Sequence, residues 1–463
     1  MKTIVNLIVL LFILTVPRCQ DSVVSGEVEN QLGKLSGLNF PLSVKRFYKE
    51  NDYQSIWMQS VEKPTKTWSS MLLLDCVLHY GLSHEDYHPD KLLYPKLREI
   101  LKDQRSATAK DRAMFELYLT DAMLTFINDL HFGKANPLLP RRKIDEGNTP
   151  GLSAETVLKN ALGSKDFMMA ILDVQPKSNV YIDLQKYMVL IRGQYLDDCY
   201  TVPEAEVRKV AINMERAKWN IVTAKNYLEV NIPSYTLTYH LPDTSFIFQV
   251  AVGKTQTPTP ELLSSVSYIG TAPDWRVPQS IFVNDVLPKA LKDVRYLENG
   301  HYTIYDKNGR FVEANGAALK KVKEDPYGFS ARQSSGCEIS LGRLAFHFPN
   351  GNDIYLHDGQ QKELFLLKDR AITNGCVSVE DADKLAALML KYDGQEALIK
   401  EFLQAVNTYR TKNFILRKQL PLLISYQTCA IRDGLLEMFS DPYNRDRELE
   451  KNIYRHDVML AKK

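Results

Sequence analysis

A cysteine directly after a glycine, with a histidine nineteen residues upstream, is the arrangement in this chain best suited to chemistry. His357 lies in Ile354-Tyr355-Leu356-His357-Asp358, and Cys376 in Arg370-Ala371-Ile372-Thr373-Asn374-Gly375-Cys376-Val377. Such a pair fits thiol-based acyl transfer: the thiolate attacks a carbonyl, and the imidazole takes and returns the proton. Gly375 would let the backbone approach a substrate closely. The N–H groups around Gly375 and Cys376 would then face a developing oxyanion, with Asn374 as an assistant. His357 needs a partner for its second ring nitrogen. Neighbouring residues on a strand point to opposite faces, so a backbone carbonyl is expected there rather than the Asp358 carboxylate. Tyr355 shares the face of His357 and suits either a cleft wall or ordinary strand packing. Arg370 suits either a substrate carboxylate or a structural ion pair. Two buried residues on adjacent strands would show the same spacing with no chemistry at all, so the surrounding chain has to decide.

Two kinds of periodicity divide that chain. Up to about residue 222 the apolar residues recur at helical spacing, as in Met71 to Leu78 and Met114 to Ile127. Within this region His84 and His88 stand four apart, but Ser83 and Pro89 flank them as they would a short loop, not a metal-bearing helix. From Tyr227 the period becomes two: Leu228, Val230 and Ile232, then Tyr235, Leu237 and Tyr239, then Phe246 to Val252. The expected fold is α+β, with a helical N-terminal scaffold region (38–222) followed by a β-rich domain (223–430). An insertion of helix and loop (about 279–335) interrupts the strands, and 431–463 form a C-terminal extension. A helix is expected after the nucleophile from Val379, its start rich in carboxylates, as suits a helix N-terminus.

Composition narrows the class. The chain has 463 residues, enough for two or three domains, and a net charge of +2 with no basic cluster, which argues against nucleic-acid binding. Its six cysteines show no metal-type spacing and are too sparse for a disulfide framework. A basic start at Lys2 and an apolar run from Ile4 to Val16 fit a secretory signal peptide (1–25), cleaved near Ser25, and hence an exported, periplasmic or envelope-associated protein.

The residues around the pair resemble the L,D-transpeptidases with a YkuD-type catalytic domain, whose signature runs from a histidine through a spacer to Ser/Thr-His-Gly-Cys. The run Leu341-Gly342-Arg343-Leu344-Ala345-Phe346-His347-Phe348-Pro349-Asn350 to His357-Asp358 is similar to the large YcbB-like subfamily. So are Asn213-Met214-Glu215-Arg216, Val252-Gly253-Lys254 with Thr259-Pro260, Trp275-Arg276-Val277-Pro278 and Arg332-Gln333. The resemblance covers about 205–450 and continues more thinly towards the N-terminus. It implies a 3→3 cross-linking enzyme of peptidoglycan that forms a thioester on Cys376, with His357 as base. Gly375, Asn374, Thr373, Tyr355 and Arg370 would position the substrate. It further implies a tetrapeptide stem as donor, a diaminopimelate-type acceptor, carbapenems as inhibitors, no cofactor and no metal, and a capping role for the insertion. The peptidoglycan-binding module that relatives carry near 175–205 is abbreviated or absent. The same residues also suit an L,D-carboxypeptidase, a protein-anchoring acyltransferase, or a peptidoglycan-binding scaffold with impaired catalysis. Two departures matter: Asn374 stands where the signature has histidine, and Ser378 where it has arginine. Asparagine carries no proton near pH 7, and serine cannot make a bidentate contact with a carboxylate.

Overall fold

The computed structural model describes residues 23–58, 65–102, 107–147, 149–193, 203–334, 341–352 and 354–454. Most of the expected signal peptide, and Cys19, Cys199 and Cys337, lie outside them. The chain divides into two compact units. The first comprises Met1–Ile221 with Cys429–Met438 and Arg445–Lys463; the second comprises Val222–Thr428 with Phe439–Asn444. The tail set apart in the sequence as 431–463 is therefore shared between the two.

In the first unit, helix α1 (Pro41–Lys49) packs on α2 (Ala109–His131), with α3 (Asn179–Arg192) and α4 (Glu204–Arg216) further along. Helix α2 starts where the Thr108 side chain accepts the Asp111 N–H, and it is buried almost throughout from Phe115 to Leu130. Burial on every side makes it the core helix of this unit. Helix α1 places Pro41 at its first turn, and the backbone N–H groups of Asn39, Phe40, Leu42 and Ser43 donate to the carboxylates of Asp121 and Asp145.

The second unit is a nine-stranded sheet built from β1 (Tyr227–Asn231), β2 (Thr236–His240), β3 (Ser245–Gly253) and β4 (Leu262–Thr271), then β9 (Leu344–His347), β10 (Leu356–Asp358), β11 (Ala371–Thr373), β12 (Val377–Val379) and β13 (Lys412–Ser425). Its order is β11-β3-β12-β10-β9-β4-β13-β1-β2, and β2 also pairs with β3, so eight of the strands close on themselves. Between β4 and β9 the insertion forms its own four-stranded sheet from β5 (Trp275–Arg276), β6 (Tyr302–Asp306), β7 (Phe311–Val312) and β8 (Phe329–Gln333). The expectation of helix and loop alone is thus corrected. These strands run two to five residues, too short for their alternation to stand out in the sequence. The insertion has its own core of Trp275, Phe282, Val286, Ile304 and Val322. Helices α5 (Ala382–Tyr392) and α6 (Ile399–Asn407) contribute Leu385, Met389, Phe402 and Val406 to the main core of the strands. The hairpin β14 (Cys429–Arg432) and β15 (Leu435–Met438) and helix α7 (Asp446–Ile453) belong to the first unit.

Candidate active site

Strand register decides which side chains share a surface. Strands β10 and β12 run parallel, with Leu356 opposite Val377 and His357 opposite Ser378. Leu356, Val377 and Val379 point into the core. Alternation therefore turns Tyr355, His357, Cys376 and Ser378 to the opposite face. The nineteen-residue spacing has a plain origin: it brings Cys376 two residues short of level with His357, just before the neighbouring strand and on the same face.

Cys376 sits in a turn built for it. Gly375 has φ of +110°, a region open to glycine and strained for other residues, although a side chain there would meet no close atoms. The Thr373 hydroxyl donates to the Cys376 carbonyl at 2.6 Å and accepts the Gly375 N–H at 3.3 Å. Thr373 thus holds the turn from within instead of reaching outward. The Val377 N–H donates to the Tyr355 carbonyl. The Cys376 N–H makes no hydrogen bond among the described residues, so it, and not the Gly375 N–H, is the amide free to meet an oxyanion. Asn374 is exposed at the edge of this turn.

A buried hydrogen-bonded brace supports the turn from behind. Thr259 Oγ1 donates to the Gly375 carbonyl and accepts the Gly253 N–H, both at 2.8 Å. The Tyr443 hydroxyl donates to the Gly253 carbonyl and accepts the Thr259 N–H. A Cβ on Gly253 would fall 2.2 Å from the Thr257 carbonyl oxygen and 2.9 Å from the Gly375 Cα, so only glycine fits. Gly253 and Thr259 were visible in the sequence as part of the resembled pattern. Tyr443 was not, because it arrives from a segment 190 residues away in the chain.

His357 is nearly buried, and its Nδ1 lies 3.0 Å from the Asp358 carbonyl oxygen. A carbonyl only accepts, so Nδ1 carries the proton and Nε2 keeps the lone pair. This is the carbonyl partner expected from strand alternation. The Asp358 carboxylate turns away and takes the Arg343 backbone N–H at 3.2 Å and its Nε at 3.1 Å. Gly342, at φ of +65°, passes so close that a Cβ would lie 2.6 Å from the Asp358 carbonyl oxygen. The Gly342-Arg343 pair therefore fixes the peptide that orients His357.

Burial sets the charge state. Desolvation lowers the His357 pKa from its usual value. Cys376 keeps partial exposure as a residue, but its sulfur is deep among protein atoms, and burial pushes the thiol up to about 11 despite a hydrogen bond from the Tyr355 backbone. Both groups are therefore neutral at pH 7, a thiol and a free imidazole and not a thiolate–imidazolium pair.

The remaining candidates separate. Tyr355 is half-buried and packs against the core of the insertion. Arg370 is corrected as a substrate contact: its donors go to the carbonyls of Val250, Phe365, Leu367 and Tyr235 and to the Gln249 side chain. Its guanidinium also lies 5.2 Å from the centre of the Tyr235 ring. These contacts tie the start of β11 to β3, to the turn at Tyr235 and to the segment 365–367, and all five guanidinium donors are used. No group of metal-binding side chains forms among the described residues.

Residues 225–399 match the L,D-transpeptidase catalytic domain of the YkuD family, and the second unit carries it. Residues 42–188 match the Scaffold domain, so the chain has the YcbB-like arrangement of a scaffold domain followed by a YkuD L,D-transpeptidase catalytic domain. A Haemophilus influenzae protein named "Putative L,D-transpeptidase" is 32% identical over 257 residues, which are 55% of this chain and 51% of that protein. The chain thus matches about half the length of this relative.

Proposed function

We propose that the protein is a cysteine-dependent L,D-transpeptidase that makes 3→3 cross-links in peptidoglycan. The observation that carries this reading is the common face of Cys376 and His357, with Nδ1 of the imidazole held by the Asp358 carbonyl and Nε2 left basic. Nε2 takes the thiol proton as Sγ attacks the carbonyl of the L-centre in the third residue of a tetrapeptide stem. The Cys376 N–H stabilises the oxyanion. Collapse passes the Nε2 proton to the departing terminal D-alanine amine and leaves a thioester on Cys376. The side-chain amine of a neighbouring diaminopimelate-type stem then attacks, giving its proton to Nε2. When the carbon–sulfur bond breaks, that proton returns to the thiolate. We place this reaction in the cell envelope, on the strength of the apolar leader from Ile4 to Val16.

Incubation with a disaccharide-tetrapeptide tests the reading. A cross-linked dimer with release of D-alanine is the expected product. A tripeptide alone would make the protein an L,D-carboxypeptidase, and unchanged substrate would reduce it to a binding protein.

A further inference from the structure

The Gly375 carbonyl and the Cys376 N–H belong to one peptide group, which is planar and trans, so they point in opposite directions. Whatever holds the carbonyl therefore aims the N–H, and that N–H is the amide left open for an oxyanion. The turn does not hold this peptide by itself. Gly375 has φ of +110° and no Cβ, so rotation of the peptide that follows it meets little steric resistance.

The hold comes from Thr259. Its side chain is fully buried, and Oγ1 accepts the Gly253 N–H. A hydroxyl has one proton, and here the Gly375 carbonyl, 2.8 Å away, receives it. Thr373 acts in the same way one peptide further on, donating to the Cys376 carbonyl. The peptides on both sides of the nucleophile are thus held by threonine hydroxyls.

Thr259 is itself locked. The Tyr443 hydroxyl accepts the Thr259 N–H at 3.1 Å and donates to the Gly253 carbonyl at 2.5 Å, which closes a ring of three hydrogen bonds through Gly253. Tyr443 is aimed in turn by Tyr426, just past β13. Their rings stack with centroids 5.6 Å apart, and the Tyr426 hydroxyl accepts the Tyr443 N–H at 2.9 Å while donating to Asp441 Oδ1 at 2.5 Å. Residues 439–444 belong to the strand-rich unit but lie beyond the stretch 225–399 that matches the catalytic domain.

We propose that Thr259 and Tyr443 are positioning residues for the oxyanion donor. Thr259 turns the Gly375–Cys376 peptide so that its N–H faces the developing charge, and Tyr443 holds Thr259 in that attitude. Both act through the backbone behind the turn. The inference rests on the reading of Cys376 as the acyl carrier.

A role in direction shows only in reactions that build an oxyanion. Acylation by a carbapenem passes through a tetrahedral oxyanion, whereas iodoacetamide loses iodide from a saturated carbon and forms none. Both consume the Cys376 thiol. Thr259→Val keeps the side-chain shape and removes the hydroxyl. In the full chain it should slow carbapenem acylation and lower kcat on a disaccharide-tetrapeptide about ten- to a hundredfold, part of the effect of losing a whole oxyanion donor. KM, and alkylation of Cys376 read by peptide mass mapping, should stay within about twofold, because neither depends on the transition-state charge. Thr259→Ser, which restores the hydroxyl, should recover most of the rate. Tyr443→Phe keeps the stacked ring and should show the same pattern at about three- to tenfold, the effect of one lost hydrogen bond. Unchanged acylation and kcat in Thr259→Val would overturn the proposal. So would a matching fall in acylation and alkylation, the mark of a collapsed turn, or no recovery in Thr259→Ser. Full activity in Tyr443→Phe would strike Tyr443 from it. A wild-type thiol that iodoacetamide alkylates but neither carbapenem nor peptide acylates would instead defeat the enzyme reading beneath it.

Discussion

Both units bury titratable groups, and they treat them in opposite ways. In the helical unit, Glu116 is fully buried, and burial raises its pKa, but five donors surround it: the hydroxyls of Tyr48 and Ser55 and the backbone N–H groups of Ile56, Trp57 and Met58. Asp121 takes two backbone N–H groups of the α1 entry and His88 Nε2 at 2.6 Å. In the strand-rich unit, His357 and the Cys376 sulfur are enclosed with no ion pair among the described residues, and the Asp358 carboxylate is occupied by Arg343. A buried group with its hydrogen bonds filled pins a loop or a helix end. A buried group held neutral keeps a proton ready to move.

Substitutions on either side should therefore fail differently. His357→Ala should lower peptide turnover by roughly a hundred- to ten-thousandfold, the range for a lost general base, while leaving the melting temperature within a few degrees. Glu116→Ala should do the reverse in kind. Orphaning several buried donors costs on the order of 3–4 kcal/mol, which denaturant titration of the helical transition would register. If His357→Ala melts early, or Glu116→Ala leaves stability untouched, the contrast collapses. Arg370→Lys sharpens it within the catalytic unit. A lysine cannot span the carbonyls that the guanidinium now joins, so stability should fall by about 2 kcal/mol. A raised KM with unchanged stability would return Arg370 to the substrate.

The acid–base behaviour is a subtler test. His357 must be unprotonated to act as base, and desolvation lowers its pKa, so kcat/KM should fall only at pH values below the ordinary imidazole value of about 6.5. The thiol behaves oppositely. A folded-state pKa raised to about 11 gives a share of stability that is complete below the ordinary thiol value and is lost as pH rises through about 11. Asn374→His adds an exposed titratable group next to the nucleophile turn and should superimpose a second, smaller inflection near pH 6.5. An acid limb centred above 6.5 in the unmodified protein would mean that a group other than His357 governs the rate.

Much of this was legible in the sequence because it depends on local patterns. The change from helical to alternating apolar spacing near Tyr227 coincides with the start of β1. Alternation also led to a carbonyl, not the Asp358 carboxylate, as the partner of His357. What stayed hidden depends on contacts far apart in the chain. The brace from Tyr443 to Gly253, the pairing of β13 with both β1 and β4, and the return of Cys429–Met438 to the helical unit leave no local trace. Arg370 misled for a related reason: its neighbours in sequence are those of a substrate contact, while its partners in space are Val250 and Tyr235. Ser378 shows a further limit. It lies on the site face, but a Cβ on neighbouring Gly359 would fall 2.3 Å from the Phe365 ring and 2.8 Å from Ser378 Oγ, so Phe365 crowds the room that an arginine at this position would need.

The proposed reaction requires that Cys376 can be acylated. Intact-mass measurement after incubation with a carbapenem addresses this directly, since one adduct adds the mass of one β-lactam molecule. The expected result is a single addition to the wild-type protein, slowed in His357→Ala and absent in Cys376→Ala. No addition to a folded wild-type protein, or an addition that persists in Cys376→Ala, would contradict it.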